Sequence, residues 1–229
     1  MIFGPPRKLN TLNINIQIEG KTLEIVKTTK FLGLILDWGL TWKSHIHLLT
    51  TKIAKSIGII SLAKQTLTKK SLIQLYNAFI FHYLSYCTVI WGKNFDSTLW
   101  PVLRLQKISL RIIGNIPRRE SSALFCKNHK ILKLPEIYTL SVSIFMFNYT
   151  NALLPETFKY LFKENNHFHP YKTRNCNKHR PPRTKTKISD NFISNQGANT
   201  WNLLNEKFDV NTSLSVFKQN VTKWLLSSY

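Results

Sequence analysis

The stretch that decides the fold runs from Phe31 to Lys43 and reads FLGLILDWGLTWK. It opens with an apolar run of strand length, residues 31–36, which Gly33 interrupts. A short apolar run between polar flanks is typical of a strand buried on both faces. A glycine inside such a strand indicates a bulge or the close approach of another backbone, although a core strand with a packing glycine has the same pattern. We therefore predict a buried strand here, followed by a turn at Asp37-Trp38-Gly39.

Upstream of this strand the sequence has the two-residue period of a β-hairpin. Apolar and polar residues alternate without fault from Leu12 to Ile18, and the alternation resumes from Thr22 to Ile25. The Glu19-Gly20 pair between them is a suitable turn. With the strand at 31–36, the sequence predicts a small, three-stranded antiparallel unit at the N-terminus. Three strands bury little apolar surface, so this unit must pack against other structure.

Downstream of Gly39 the period becomes helical. Thr41 can cap a helix whose apolar residues recur at helical spacing to about residue 63. Thr68 can cap a second helix, which runs to about Tyr86. Further helices are predicted at about 96–114, 122–129, 135–148, 155–162, 197–205 and 213–227. The predicted fold is therefore mainly α, with a small N-terminal antiparallel β unit, a helical bundle, a basic loop and C-terminal helices.

Charge indicates the class of partner. Lysine and arginine number 32 against 11 aspartates and glutamates, for a formal net charge of +21. Such an imbalance predicts a polyanionic partner, with nucleic acid first and an anionic membrane surface second. The strongest local concentration is residues 169–187, which hold seven Lys or Arg residues, no acid and no apolar period. We interpret this stretch as an extended basic segment that contacts RNA or DNA, the alternative being a solvated linker.

The residues expected to meet phosphates lie in this segment and on the first helices. In the basic segment, tyrosine and histidine are interleaved with the cations, so bases can stack where phosphates are neutralised. The lysines of the first helices carry less weight, because solvated helix faces have the same composition. The candidate residues are Lys52, Lys55 and Lys64 on the helices, and Lys172, Arg174, Lys178, Arg180, Arg183, Lys185 and Lys187 in the segment.

Several motifs resemble one family. Phe31-Leu32-Gly33, the apolar strand after it, Asp37 and the sequence Trp42-Lys43-x-His45 together resemble the primer-grip region of reverse transcriptases from jockey-like non-LTR retrotransposons. Shorter motifs resemble the thumb and the C-terminal tail of the same proteins. These are Tyr86-Cys87 with Trp91-Gly92, Tyr171-x-Thr173-Arg174, Trp201-Asn202-x-Leu204 and Phe217-Lys218.

This resemblance covers nearly all of the chain and implies a division into three parts. Residues 1–40 are expected to form the palm edge and primer grip, in which Phe31, Leu32 and Gly33 support the primer terminus. Residues 41–164 are expected to form a thumb-like helical domain, and residues 165–229 the basic segment and C-terminal helices. Met1-Ile2-Phe3 resembles the strand that ends the palm motif, so we expect the chain to begin within a domain and the palm and fingers to be supplied elsewhere.

Catalysis by this chain is not expected. Reverse transcription needs neighbouring carboxylates to hold two Mg²⁺ ions, and no two of the 11 acids lie closer than three residues. No nucleophile triad or phosphate-binding loop is present. The pairs Cys126-x-x-His129 and Cys176-x-x-His179 offer a possible tetrahedral zinc set, but the spacing is loose and the second pair lies in the basic loop. We therefore expect no metal, no cofactor and no small-molecule substrate.

The remaining features concern location. Three widely spaced cysteines predict a reducing compartment, and the N-terminus lacks the pattern of a signal peptide. Residues 71–92 are uncharged and long enough to span a bilayer, but their one-sided apolar stripe favours a buried helix. We expect a nuclear or cytoplasmic protein that is not in a membrane. Besides the reverse transcriptase fragment, a standalone basic RNA- or DNA-binding protein and a peripheral membrane-surface protein remain open.

Overall fold

The computed structural model describes residues 1–4, 15–168, 171, 174–208 and 212–229, apart from the side chain of His167. The described residues are mainly helical, which confirms the predicted mainly α fold with small antiparallel strand pairs. The helices are α1 Lys43–Ala63, α2 Lys69–Tyr76, α3 His82–Ser85, α4 Thr88–Trp91, α5 Asp96–Gly114, α6 Ala123–Asn128, α7 Leu134–Thr150, α8 Lys187–Asp190, α9 Ile193–Asn205 and α10 Leu214–Ser227. The strands are β1 Gln17–Ile18, β2 Lys21–Thr22, β3 Thr28–Phe31, β4 Leu34–Asp37, β5 Lys163–Glu164 and β6 His179–Arg180.

The N-terminal strands form two separate hairpins instead of the predicted three-stranded unit. The first hairpin pairs β1 with β2 through Glu19 and Gly20, as predicted. Both turn residues have positive φ, as a type I′ turn requires. Of the predicted strand from Leu12 to Ile18, residues 12–14 lie outside the described part of the chain. The rest of that strand is exposed, so the predicted half-buried face is not covered by described residues.

The stretch predicted as one buried strand is the second hairpin. Phe31 ends β3 and Leu34 begins β4, while Leu32 and Gly33 turn the chain with φ values of 45° and 81°. The prediction of a continuous strand is therefore wrong, and so is its burial on both faces, because Phe31 is 60% and Leu32 72% exposed. Gly33 supplies the positive φ that the turn needs. An apolar residue in a turn has no sequence signal that separates it from a strand residue.

Asp37, the last residue of β4, joins this hairpin to α1. Its carboxylate oxygens accept hydrogen bonds from the backbone N–H groups of Thr41, at 2.9 Å, and Trp42, at 2.7 Å. A carboxylate is favoured at a helix N-terminus because unpaired N–H groups and the helix dipole are positive there. The predicted cap, Thr41, makes only a long contact of 3.5 Å with the backbone nitrogen of Lys43. Asp37 is thus the principal cap.

The second predicted helix is continuous over residues 69–85, with a π-helical turn at Asn77–Phe81 between α2 and α3. Thr68 caps it, as predicted. A π turn contains one extra residue, which disturbs the regular pairing of backbone carbonyls. Here the hydroxyl of the buried Ser56, on α1, donates a hydrogen bond to the carbonyl of Phe79 at 3.1 Å. This hydrogen bond attaches the irregular turn to α1.

The core is built around α7, which is rich in apolar residues and buries Leu134, Ile137, Val142, Met146 and Phe147. It contacts α3, α4, α5, α9 and α10. The fully buried Gln106, on α5, donates hydrogen bonds to the Tyr76 hydroxyl and the Leu132 carbonyl, at 2.9 and 3.0 Å, and accepts one from the N–H of Leu134 at 2.9 Å. Its amide group ties α2 to the start of α7. The buried residues of α9 and α10 belong to the same core as those of α1–α7.

The described part of the basic segment is folded onto this core, so the prediction that it is extended throughout is wrong. Strand β6 pairs with β5, and the Asn202 side chain of α9 holds the backbone of His179. Its Oδ1 accepts from the His179 N–H at 3.0 Å, and its Nδ2 donates to the His179 carbonyl at 2.8 Å. The ring of His179 packs against Phe162 and Tyr149, with centroids 5.7 and 6.0 Å apart.

Among the described residues, α1 is the one helix long and apolar enough to cross a bilayer. Its apolar residues Ile46, Leu49, Ile53 and Ile60 are buried, and the helix packs against α5 and β4. This one-sided burial is typical of a core helix in a globular domain. The uncharged residues 71–92 are divided among α2, the π turn, α3 and α4.

Candidate nucleic-acid interface

The tip of the second hairpin is held against the helices by Tyr86, which follows α3. The Tyr86 hydroxyl donates a hydrogen bond of 2.6 Å to the carbonyl of Leu32. Its ring lies 3.5 Å from the position that a Cβ atom on Gly33 would occupy. The indole N–H of the fully buried Trp91 donates to the carbonyl of Tyr86 at 2.9 Å. Tyr86, itself held by Trp91, therefore fixes the exposed apolar tip of the hairpin in place.

A cleft of about 380 Å³ borders this tip, between the hairpin, α1 and α3. We call it the hairpin cleft. The ammonium group of Lys52 lies 5.1 Å from the ring centroid of Tyr83 at this cleft. No acidic residue lines it. Its principal polar and aromatic lining residues are His45, Lys52, His82, Tyr83 and Tyr86, next to Gly33.

His45 forms a buried wall of the hairpin cleft. Its Nδ1 accepts a long hydrogen bond of 3.4 Å from the N–H of Ile35, and its ring packs edge-on against Trp42 and Trp91. Burial, and secondly the charge of Lys52, lower the pKa of His45 below its ordinary value of 6.5. The ring is therefore neutral at pH 7, and a ligand at this wall meets an uncharged imidazole beside a cationic lysine.

Lys64 lies at a different place, just beyond the end of α1. It lines a cleft of about 640 Å³ with Arg104, Arg111 and Arg118, which we call the arginine cleft. The Arg111 Nε donates to the carbonyl of Glu120 at 3.1 Å. None of these four cations forms a salt bridge with a described acid. The C-terminal ends of α1 and α5 contribute partial negative charge here, which offsets part of the positive charge.

The basic segment divides into residues held by the fold and residues left exposed. Lys178 forms a salt bridge with Glu206, and this hydrogen bond and charge lower the pKa of the Glu206 carboxyl. The Arg180 guanidinium lies 4.6 Å from the ring centroid of Phe168. Arg174, Arg183 and Lys185 are exposed, with no described carboxylate in salt-bridge range.

Lys187 and Lys172 complete the segment. The ammonium group of Lys187 lies 5.2 Å from the ring centroid of Phe95, which precedes α5. The end of the basic segment therefore lies beside the loop that connects α4 and α5. Lys172 lies outside the described residues.

The predicted residues are thus distributed over several places. Gly33 and Lys52 both line the hairpin cleft, while Phe31 and Leu32 form the exposed tip of the second hairpin beside it. Lys55 is exposed on α1, and no described contact joins it to the cleft. Lys64 belongs to the arginine cleft.

Sequence reasoning missed the arginine cleft. Arg104 and Arg111 are seven residues apart on α5, which places them on one face of that helix. That spacing was visible in the sequence. What it did not indicate was that Lys64 and Arg118 come to the same face, since the end of α1 and the loop after α5 meet only in the folded chain.

Among the described residues, no three histidine, cysteine or acidic side chains come close enough to hold a metal ion. Cys126 is buried in α6, and His129 packs on Phe125 with centroids 4.5 Å apart. Asp37 uses both carboxylate oxygens to cap α1.

Comparison with protein-family models, with curated proteins and with solved structures found no match to this chain.

Proposed function

We propose that this chain is the primer-grip, thumb and C-terminal part of a non-LTR retrotransposon reverse transcriptase, and that it binds template–primer nucleic acid without catalysing synthesis. The observation that carries the proposal is positive charge without internal compensation. Lysine and arginine outnumber the acids by 32 to 11, and the described residues form one salt bridge, Lys178 with Glu206. Cations that lack partners within the fold are available to neutralise phosphates.

The geometry at the hairpin cleft is consistent with the role that the resemblance implies. The tip, Phe31 and Leu32, is apolar and exposed, and Tyr86 holds it in position. Lys52 lies at the adjoining cleft. A fixed apolar tip beside a cation can support the end of a nucleic-acid strand, with contacts to a sugar and to a phosphate. The implied partners are RNA or DNA together with the palm and fingers of the parent enzyme.

Two experiments test the proposal. In the first, the full chain is incubated with a primed RNA template and Mg²⁺ or Mn²⁺. We expect no incorporation above that of a vector-only preparation, because the described carboxylates form no metal site. Incorporation that disappears in Asp37→Asn would contradict the non-catalytic assignment.

The second experiment measures binding of single-stranded RNA and of duplex by the full chain at several salt concentrations. Each phosphate contact that is lost should reduce the slope of log K against log salt by about 0.7–0.9. The double variant Arg174→Ala/Arg183→Ala should therefore lose roughly 1.5 units of slope, with an unchanged melting temperature, because both side chains are exposed.

Lys218→Ala/Lys223→Ala is the matched control, since it removes two exposed cations from α10. An equal loss of slope in both variants would show that the basic segment contributes no more to binding than exposed cations elsewhere on the surface, and an unchanged slope in Arg174→Ala/Arg183→Ala would show that the segment is not the binding surface. Salt-dependent binding to anionic vesicles, with none to nucleic acid, would refute the proposal and favour a membrane-surface protein.

A further inference from the structure

A third cleft, of about 550 Å³, lies where α5 and α7 begin and α9 passes. We call it the tryptophan cleft. It differs from the other two in chemistry, because it combines an exposed indole, a buried phenol, an amide and hydroxyl groups. Its principal lining residues are Lys93, Asp96, Trp100, Tyr138, Gln196 and Thr200.

The first observation at this cleft is a buried hydroxyl without a partner. Tyr138 is 6% exposed, and its hydroxyl makes no hydrogen bond within the described structure. Burial raises the pKa of Tyr138, so the group remains protonated and able to donate. The ring packs closely on Gly92, where a Cβ atom would lie 2.8 Å from Tyr138 Cδ2. Buried hydroxyls are usually paired. The oxygen is covered in this structure, so a ligand in the cleft supplies the missing partner once the side chains around the hydroxyl shift.

The second observation is that exposed aromatic rings lie beside lysines around the cleft. Trp100 is 55% exposed, and the Lys107 ammonium group lies 5.3 Å from its ring centroid. Phe95, 39% exposed, has Lys187 at 5.2 Å. Lys93 lines the cleft itself. Exposed rings with neighbouring cations are the combination that holds single-stranded nucleic acid, because bases stack on the rings while phosphates meet the cations.

The third observation is the electrostatic setting. Helix α5 begins at Asp96 and α7 at Leu134, and both residues line the cleft. The N-terminal ends of these helices add partial positive charge, in contrast with the C-terminal ends at the arginine cleft. Asp96 is the one acid among the lining residues. Its carboxylate makes no described hydrogen bond and can accept one from the amino group of a base.

We propose that the tryptophan cleft holds an unpaired base of a single nucleic-acid strand. The base stacks at Trp100 and accepts a hydrogen bond from the Tyr138 hydroxyl, while Lys93, Lys107 and Lys187 meet the flanking phosphates. This inference rests on the proposed nucleic-acid binding and adds the ligand class, an unpaired strand. In a duplex the faces of the bases are stacked on their neighbours and cannot enter the cleft.

The test compares two fluorescent ligands of equal length and charge, an ordinary single-stranded oligonucleotide and an oligomer of abasic units. Binding to the full chain is measured by anisotropy. We expect a preference for the base-bearing ligand of about fivefold or more, the effect of stacking one base. Trp100→Ala should abolish the preference. Tyr138→Phe should reduce it by up to about fivefold, the value of one hydrogen bond. Affinity for the abasic oligomer should not change.

Both variants should remain folded, because Trp100 is exposed and the Tyr138 hydroxyl has no described partner to lose. Equal melting temperatures check this. The matched control is Tyr160→Ala, which removes a ring that is 80% exposed and lies outside the cleft. It should keep the wild-type preference.

The outcomes separate this inference from the proposed function. No preference for bases in the wild type, or a wild-type preference retained in both Trp100→Ala and Tyr138→Phe, overturns the base site. If salt-dependent binding persists in that case, the proposed nucleic-acid binding stands. The absence of salt-dependent binding to any nucleic acid overturns both.

Discussion

The first hairpin and the basic segment differ from their sequence predictions in opposite directions. The hairpin is more exposed than its alternation predicts, and the basic segment is more closely packed than its composition predicts. The hairpin has clear alternation, yet every residue from 15 to 25 is exposed, including Ile18 at 58%. The basic segment has no periodicity, yet His179 is only 7% exposed and Asn202 holds its backbone. A periodic pattern shows which face a segment can bury. Whether the face is buried depends on partners far along the chain.

Hydrogen exchange should give the largest contrast. Amides at 17–22 belong to a two-stranded hairpin with exposed residues and should exchange quickly, since an isolated hairpin is marginally stable. Amides at 46–60 in α1, and the His179 amide bound to Asn202, should be protected about a thousandfold more. Exchange is followed by NMR or mass spectrometry. Equal protection of the hairpin and α1 would mean that a further part of the chain covers the hairpin.

The next largest effect concerns the attachment of the basic segment. Asn202→Ala should lower the free energy of unfolding by about 2–4 kcal/mol, because it leaves both the N–H and the carbonyl of His179 without their bonds. Asn205→Ala, at an exposed position of the same helix, is the control and should cost little. The measurement is urea unfolding. Equal losses in the two variants would show that the Asn202 bonds contribute nothing specific.

Alanine substitutions at the two turn glycines compare the first hairpin with the second. Gly33, with φ of 81°, and Gly20, with φ of 75°, carry similar backbone strain when replaced by alanine. Gly33→Ala should lower global stability by about 1–2 kcal/mol, since its hairpin is joined to the core through Asp37 and Tyr86. Gly20→Ala should leave global stability unchanged, because residues 15–25 of the first hairpin are exposed and add little to the core. A similar loss in both would show that the two hairpins are coupled.

The smallest effect is expected from pH. Burial lowers the pKa of His179 below 6.5, despite the opposing charge of Glu164. The unfolded chain then binds more protons than the folded chain as the pH falls through 6.5, so the free energy of unfolding decreases toward the folded pKa. Urea unfolding at about pH 7.5 and 5.5 measures this loss. His179→Gln should flatten the profile in part, since His45 contributes in the same direction.

The helices were the most predictable part of the fold. Thr68, Ser122 and Pro135 mark helix starts that the structure places within about a residue, and the αL residue Asn115 ends α5 as predicted. These signals are local, because they depend on the hydrogen-bonding needs of helix ends. The short hairpin at 28–37 was less predictable, since Leu32 occupies a turn position that usually favours asparagine or glycine.

The candidate sites were predictable in composition and not in place. The excess of lysine and arginine was evident, and so were Lys52 and Lys187 as candidates. The tryptophan cleft was not, because Trp100, Tyr138 and Thr200 lie on three helices far apart in sequence. The absence of alternation in the basic segment also hid β6, which pairs with β5 and whose His179 backbone bonds to the Asn202 side chain of α9.

By itself, the sequence determined the mainly helical character, the positions of the long helices, the charge of +21 and the lack of neighbouring carboxylates. Each is a property of composition or of residues within a few turns of one another. Only the tertiary structure decided that Leu32 is an exposed tip bound by Tyr86, 54 residues away, and that His179 is buried under Asn202, 23 residues away. Burial and cleft formation require side chains from distant segments to meet, and a local pattern carries no information about that meeting.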